Sequence, residues 1–388
     1  MHLTKEEERM LDGEYGWANQ VSMKILVRLG DLFGATRLIQ VHSAHLSGVS
    51  YKHLGDGAID FLNELADKGG RAKTLTSLNP SSFDQEILVQ RYSKKRFVKQ
   101  EHIIELYRKM LIQPTLTCTP YYFRTPQSGQ HLAWSESSAV VYANSVLKAW
   151  TNREGAPSAL AAALVGKTPN YGIHQPENRQ PNVQVKLETK LQTETDYGAL
   201  GIHLGKLLKE KIPTFKELRG SDDELKQLGA AMASGGMTPL FHRETPSETH
   251  KLEAVTVEAK DIDEAGSSLC TTDEPPDLVF IGCPHCSINE VKRVARALEG
   301  KKVREDVELW VCASRHVKQR AKNYVKTIER AGGHVLCDTC VLVTWIKDIG
   351  VNRLMTNSAK TAFYAPTLND VDVTLKPLNP CIEAVCRS

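Results

Sequence analysis

The chain has 388 residues, enough for two or three domains and a sizeable buried core. Its 41% hydrophobic and 24% charged residues are ordinary for a soluble globular protein, and a formal charge of +3 without a basic, aromatic-rich cluster argues against nucleic acid as a partner. No apolar run approaches the roughly 18 residues that span a bilayer, and the polar, acidic start Met1-His2-Leu3-Thr4-Lys5-Glu6-Glu7 lacks the order of an export signal, so no membrane and a cytoplasmic, reducing compartment are expected.

Thr4-Lys5-Glu6-Glu7 is a capping-box pattern that opens a short first helix. Val21, Ile25, Leu29 and Leu32 recur at helical spacing and predict a helix over 17–33, stopped by Gly34 and followed by a strand at 37–41. Helices are expected over 137–150 and 157–165, the second ended by Gly166. Val183, Val185 and Leu187 alternate with polar residues, as in a half-buried strand. Asp196 is read as the cap of a helix carrying Gly198, Gly201 and Gly205. Those glycines do not follow a strand as a dinucleotide fingerprint requires, so close helix packing is the better reading. Thr245-Pro246-Ser247-Glu248-Thr249 reads as a loop.

The last third alternates strands at 278–281, 307–311, 334–336 and 353–355 with helices at 288–298, 316–331 and from Ser358. Short connections between alternating elements predict a parallel sheet with helices on its faces. The expected fold class is therefore α/β, with an N-terminal α/β region at 1–274 and a C-terminal doubly wound α/β domain at 275–388. The boundary is placed near Pro275-Pro276 and only a short tail is expected after Leu378.

Ligands of such sheets bind beyond the carboxyl ends of the strands. That edge would carry Gly282-Cys283-Pro284-His285-Cys286-Ser287, Cys312-Ala313-Ser314-Arg315, Cys337-Asp338-Thr339-Cys340 and Thr356-Asn357-Ser358-Ala359-Lys360. Nine cysteines in a reducing compartment are better candidates for metal ligands or reactive thiols than for disulfides. The pairs Cys283/Cys286 and Cys337/Cys340 admit a four-thiolate zinc site, a redox dithiol, or one thiol from each loop joined by a distant third around an iron–sulfur cluster; simple burial is the bland alternative. The middle of the chain favours the cluster. There, Thr117-Cys118-Thr119-Pro120-Tyr121 precedes the polar stretch His131-Leu132-Ala133-Trp134-Ser135-Glu136-Ser137-Ser138, and Ala149-Trp150-Thr151-Asn152-Arg153-Glu154-Gly155 follows. A helix cap would explain Ser135, but not Glu136, Asn152 and Arg153 as well.

The motifs LTKEEERML, GVSY, CTPY, AWSESSAV, TNREG, DYGALG, GCPH, SRHV, DTC and TNSAK run from the amino terminus to about residue 366. With them the chain resembles the large subunit of the aconitase X family. The resemblance implies a multi-domain, aconitase-like architecture and an iron–sulfur hydro-lyase, with a [4Fe-4S] cluster that keeps one iron open. The implied ligands are Cys118 from CTPY, Cys283 from GCPH and Cys340 from DTC, with Cys286 and Cys337 in reserve. Substrate contacts are carried over to Ser43, Asn79, Ser135, Glu136, Ser137 and Ser138. They are also carried over to Asn152, Arg153, Glu154, Asn357, Ser358 and Lys360. His45 stands where archaeal members often have glutamine, so no direct role is carried over to it. The expected substrate is a phosphorylated hydroxy acid, 5-phosphomevalonate, dehydrated to trans-anhydromevalonate 5-phosphate on the archaeal route to isoprenoids. The family's catalytic base lies on a swivelling domain, which implies a small partner subunit here. Alternatives are a dehydratase of another hydroxy acid such as cis-3-hydroxyproline, and a zinc-stabilised binding or scaffold protein.

Overall fold

Thr4 Oγ1 accepts from the Glu7 amide at 3.3 Å while the Thr4 amide donates to Glu7 Oε2 at 2.8 Å, closing the capping box that starts the Lys5–Asp12 helix. Gly13, at φ +94°, ends that helix in the left-handed region. The computed structural model describes residues 1–244 and 252–386. The loop expected at 245–249 lies outside them. The chain divides into two units: Met1–Ser82 with Ser93–Gln180, and Phe83–Tyr92 with Pro181–Ser388.

The first unit is built on a parallel three-stranded sheet in the order Leu75–Leu78, Ser43–Leu46, Leu132–Trp134. The short strands Leu38–Gln40 and Lys167–Pro169 pair antiparallel beside it. Helix Trp17–Leu32 packs against Ala156–Val165, where Ala161, Ala162 and Ala163 leave room for Met23 and Leu26. A second cluster gathers Leu62, Ile103, Leu106, Leu160 and Leu164 between helices Tyr51–Asp67, Lys94–Lys109 and Ala156–Val165. The helix expected over 137–150 stops at Ser145. Asn144 ends it from within, since its Oδ1 accepts from the Thr151 amide at 3.0 Å and its Nδ2 donates to Thr151 O at 2.9 Å. Lys148 takes φ +56° in the turn between.

The second unit contains a five-stranded parallel sheet in the order His334–Leu336, Glu308–Ala313, Leu278–Cys286, Arg353–Thr356, Asp372–Leu375. The central strand is buried along its whole length, as expected where both faces are covered. It runs on through Cys286, so the Gly282–Cys286 motif continues the strand rather than lying wholly beyond it. Gly282, at φ +121°, makes this possible: a Cβ there would stand 2.4 Å from Cys312 O, where the register to the neighbouring strand shifts. A smaller parallel sheet orders Pro213–Phe215, Val183–Leu187, Glu253–Val257.

Three other expectations are corrected. Thr193, not Asp196, caps helix Glu194–Leu208; Asp196 is the helix's third residue and closes the capping box by accepting from the Thr193 amide at 2.9 Å. The helix expected at 316–331 is two, Arg315–Arg320 and Lys322–Ala331, separated at Ala321 where ψ rises to 20°. The tail after Leu378 is the helix Leu378–Val385, which buries Cys381, Ile382 and Val385. The four-residue strand Asp372–Leu375, just beyond the helix Ala359–Asn369, is too short to show a period of its own in sequence. Gly198, Gly201 and Gly205 do serve close packing: Cβ atoms would meet Ala359 Cβ at 2.8 Å, Leu228 O at 2.6 Å and Met232 O at 2.8 Å.

Candidate active site

In the first unit, polar residues gather at the carboxyl ends of the three parallel strands. His45 lies near the end of its strand with no exposed surface. Its Nδ1 is 2.8 Å from Ser77 Oγ and its Nε2 is 3.0 Å from Asn79 Oδ1. Asn79 Nδ2 donates to Glu136 Oε2 at 2.7 Å. The other oxygen of Glu136 accepts from the Ser138 amide at 3.3 Å and from Ser138 Oγ at 2.8 Å. Glu136 is the N-cap of helix Ser137–Ser145, so the amides and positive end of that helix stabilise its charge. Ser135 Oγ donates to His45 O at 2.8 Å and accepts from the Ser47 amide at 2.7 Å, tying two strand ends together. Burial pushes the His45 pKa down to about 4, against the opposing pull of Glu136 and the Asn79 hydrogen bond, so the ring is neutral at physiological pH.

Cys118 sits in a turn hung on the same strand ends, where the Thr117 amide donates to Leu78 O at 2.9 Å and the hydroxyls of Thr117 and Thr119 lie 3.1 Å apart. The structure thus groups Asn79, Ser135, Glu136 and Ser138, with Ser137 half-buried at the helix start. Ser43 lies apart, at the amino end of its strand, where it accepts from Trp134 Nε1 at 3.1 Å. Asn152 holds a turn, donating to Tyr171 O at 3.0 Å and accepting from the Ile173 amide at 2.8 Å. Arg153 is exposed, on a backbone bridge to Trp134. Glu154 is buried and accepts from Ser158 Oγ at 2.5 Å and Thr168 Oγ1 at 3.1 Å; burial raises its pKa despite these bonds.

In the second unit, the carboxyl edge of the five-stranded sheet collects the thiols. Cys283 and Cys340 are both buried in one cluster. Burial first, then the neighbouring Cys283, pushes the Cys340 thiol up to about 12, while Lys360 pulls the other way. Several contacts fix the 337–340 loop. His285 Nε2 donates to Thr339 O at 3.0 Å, and the Cys337 amide donates to Asp84 Oδ2 at 2.9 Å. Arg315 Nε donates to both oxygens of Asp338, at 3.0 and 2.8 Å. Asp84 belongs to the 83–92 segment, which is also secured by Glu86 to Lys318 at 3.0 Å and Arg91 to Glu308 at 2.8 Å. Behind Cys286, the fully buried Lys226 pairs with Glu290 and donates to His285 O at 3.2 Å.

Ser358 caps helix Ala359–Asn369, with Lys360 buried in its first turn. Asn357 Nδ2 donates to Glu194 Oε1 at 3.0 Å, which leaves Asn357 Oδ1 buried without a partner. Among the described residues, Thr339 Oγ1 and Thr361 Oγ1 are likewise buried and unpartnered. An orphaned hydroxyl at Thr339, next to Cys340, fits a site completed by a bound group, since burying such an atom unpaired is costly. Among the described residues, no three His, Cys, Asp or Glu side chains stand ready-made around a metal, and none of the nine cysteines is disulfide-bonded. Sequence reasoning did not single out Asp84, His285 or the Lys226–Glu290 pair, whose partners are remote in the chain. The SFD turn before a buried thiol loop left no local signature.

The fold and the site residues define an aconitase-type α/β protein. The chain belongs to the aconitase X family, matching its first domain over residues 1–177, its second over 181–267 and its third over 276–387. It is 45% identical over 387 residues to the phosphomevalonate dehydratase large subunit of Methanocaldococcus jannaschii, covering 95% of this chain and 96% of that one. Identity to the cis-3-hydroxy-L-proline dehydratase of Pseudomonas aeruginosa is 31%, covering 97% of this chain and 69% of that protein. The crystal structure of Thermococcus kodakaraensis aconitase X in its holo form superposes with a TM-score of 0.93 at 44% identity, over 99% of this chain and all of that one. The family implies an iron–sulfur cluster, and the term "large subunit" implies a smaller partner. Among the described residues, no helix is long and apolar enough to cross a membrane.

Proposed function

We propose that this chain is the large subunit of a hydro-lyase that dehydrates 5-phosphomevalonate. The observation that carries this reading is 45% identity along 96% of the M. jannaschii large subunit. In the reaction, a proton leaves C2 and the hydroxyl leaves C3 as water, and the electron pair of the C2–H bond becomes the new double bond. Removing a proton beside a carboxylate builds negative charge that must be stabilised.

Cys283 and Cys340 would hold a [4Fe-4S] cluster from the second unit, and their burial near one another, next to the unpartnered Thr339 hydroxyl, supports that role. Cys118 is assigned as third ligand on its CTPY motif. The cluster supplies Lewis acidity toward the leaving hydroxyl when bound. The chain's own residues bind and orient. Asn79, Ser135 and the Glu136–Ser138 cap form a polar wall, and Arg153 offers a bidentate fork for a carboxylate. The capped helix start at Ser358, with Lys360, suits the phosphate. The base is assigned to a small swivel-domain subunit.

The test is anaerobic coexpression with the small subunit, followed by incubation with 5-phosphomevalonate and separately with cis-3-hydroxyproline. Formation of trans-anhydromevalonate 5-phosphate supports the reading. Turnover of hydroxyproline alone, or zinc in place of iron, overturns it.

A further inference from the structure

The hydrogen bonds from Ser77 to Glu136 run in one direction, and the charge at one end sets that direction. Glu136 Oε2 faces Asn79 Nδ2 at 2.7 Å, an arrangement that places an amide donor against a carboxylate. Turning the amide over would set Asn79 Oδ1 against the same carboxylate, two acceptors in contact without a proton between them. Asn79 Oδ1 therefore points to His45 Nε2 at 3.0 Å, so the proton of the ring must sit on Nε2. Nδ1 is left as an acceptor, and Ser77 Oγ at 2.8 Å donates to it in preference to Ala44 O at 3.4 Å. Trp134 stands edge-on to the ring at 6.0 Å, and no part of His45 is exposed, so the imidazole has no room to turn over.

We infer that His45 is a positioning residue: it carries its proton on Nε2, locks the Asn79 amide, and thereby fixes the face that Asn79 and Glu136 present to the substrate. The inference rests on the reading that Asn79 and Glu136 line the substrate site. The downward shift of the His45 pKa by burial agrees with a neutral ring. Glutamine can reproduce the same polarity, with Oε1 accepting from Ser77 and Nε2 donating to Asn79. Leucine fills similar space but offers neither, which leaves Asn79 Oδ1 buried without its donor.

Two measurements test this. The chain with 15N-labelled histidine is compared with H45Q, whose missing signals assign His45 among the 13 histidines. A neutral Nε2–H tautomer at pH 7 is expected; an Nδ1–H tautomer or an imidazolium overturns the inference. This arm stands even if the assembled enzyme proves inactive on phosphomevalonate, which would fail the functional reading alone. In the second arm, the two-subunit holoenzyme carries H45Q or H45L. H45Q should keep kcat/KM within about threefold, while H45L should lose roughly tenfold or more, the factor that one unsatisfied buried acceptor predicts. Equal losses in both variants, or an unchanged kcat/KM in H45L, overturn it.

Discussion

Cys283 and Cys340 show why residue identity alone left several readings open. A buried thiol is an ordinary core residue, and Cys312 and Cys381 are as deeply buried as either proposed ligand. Cys312 even shares their cluster and lies near Cys340; what sets Cys340 apart is that Cys283 and Lys360 both lie near it and that, among the described residues, the adjacent Thr339 hydroxyl has no partner. Cys283→Ser or Cys340→Ser should remove the bound iron, while Cys270→Ser, half-buried and hydrogen-bonded to Leu375 O and its amide, should leave it in place. Iron content and visible absorption of anaerobically purified protein decide this, and a full cluster in Cys283→Ser would sink the assignment. Glu136 is a different case. The residue types flagged it, but its task as a helix cap that also receives Asn79 depends on a strand more than fifty residues away, beyond the reach of any local pattern.

At the scale of elements, local chemistry was the most legible. The capping box at Thr4 and the left-handed Gly166 mark helix ends in sequence and in structure alike. The failures come where side chains far apart decide: Asn144 ends a helix by bonding Thr151, and the 83–92 segment joins the second unit through Asp84 and Leu88. Helices Glu194–Leu208 and Asp222–Gly235 test the packing role of glycine directly. A Cβ on Gly201 would meet Ala231 Cβ and Leu228 O, both at 2.6 Å, so the helices must part. Gly201→Ala should cost about 1–3 kcal/mol. Gly57→Ala, where a Cβ meets nothing within 4 Å, should be neutral or stabilising by up to about 1 kcal/mol. Chemical denaturation of both variants checks the contrast. The first helix also carries a pH signature. Burial pushes the Glu7 carboxyl up, but the bond from Lys167 Nζ at 2.7 Å and the Thr4 amide outweigh it and hold Glu7 below its ordinary value of 4.5. A lowered folded pKa gives stability that is present above the unfolded value and is lost as pH falls through the folded one. The melting temperature lost in Glu7→Gln should be constant above about pH 5 and shrink below about pH 4. A loss that persists undiminished in acid would mean the pair contributes nothing through charge.

For the whole molecule, a base supplied by a partner subunit, as proposed, has a consequence for this chain alone. The polar wall of the first unit contains Asn79, Ser135 and a Glu136 whose two oxygens already accept three hydrogen bonds, and His45 is spent between Ser77 and Asn79. These bonds engage both Glu136 oxygens and both His45 ring nitrogens in holding the wall together. In the second unit buried carboxylates are paired as well: Glu290 with Lys226, Asp338 with Arg315, Asp84 with the Cys337 amide, Glu194 with Asn357 and Asp223 with Arg293. This chain should therefore bind its cluster alone yet show no dehydration. Adding the small subunit should switch activity on, because a closing partner brings the base and excludes water from the reacting atoms. Titrating cluster-loaded chain with purified small subunit should give activity that saturates near one to one, with cluster absorption unchanged throughout. Full turnover by the isolated chain would place the base within this sequence, and Ser43, whose hydroxyl accepts from Trp134 Nε1, would be the first residue to replace.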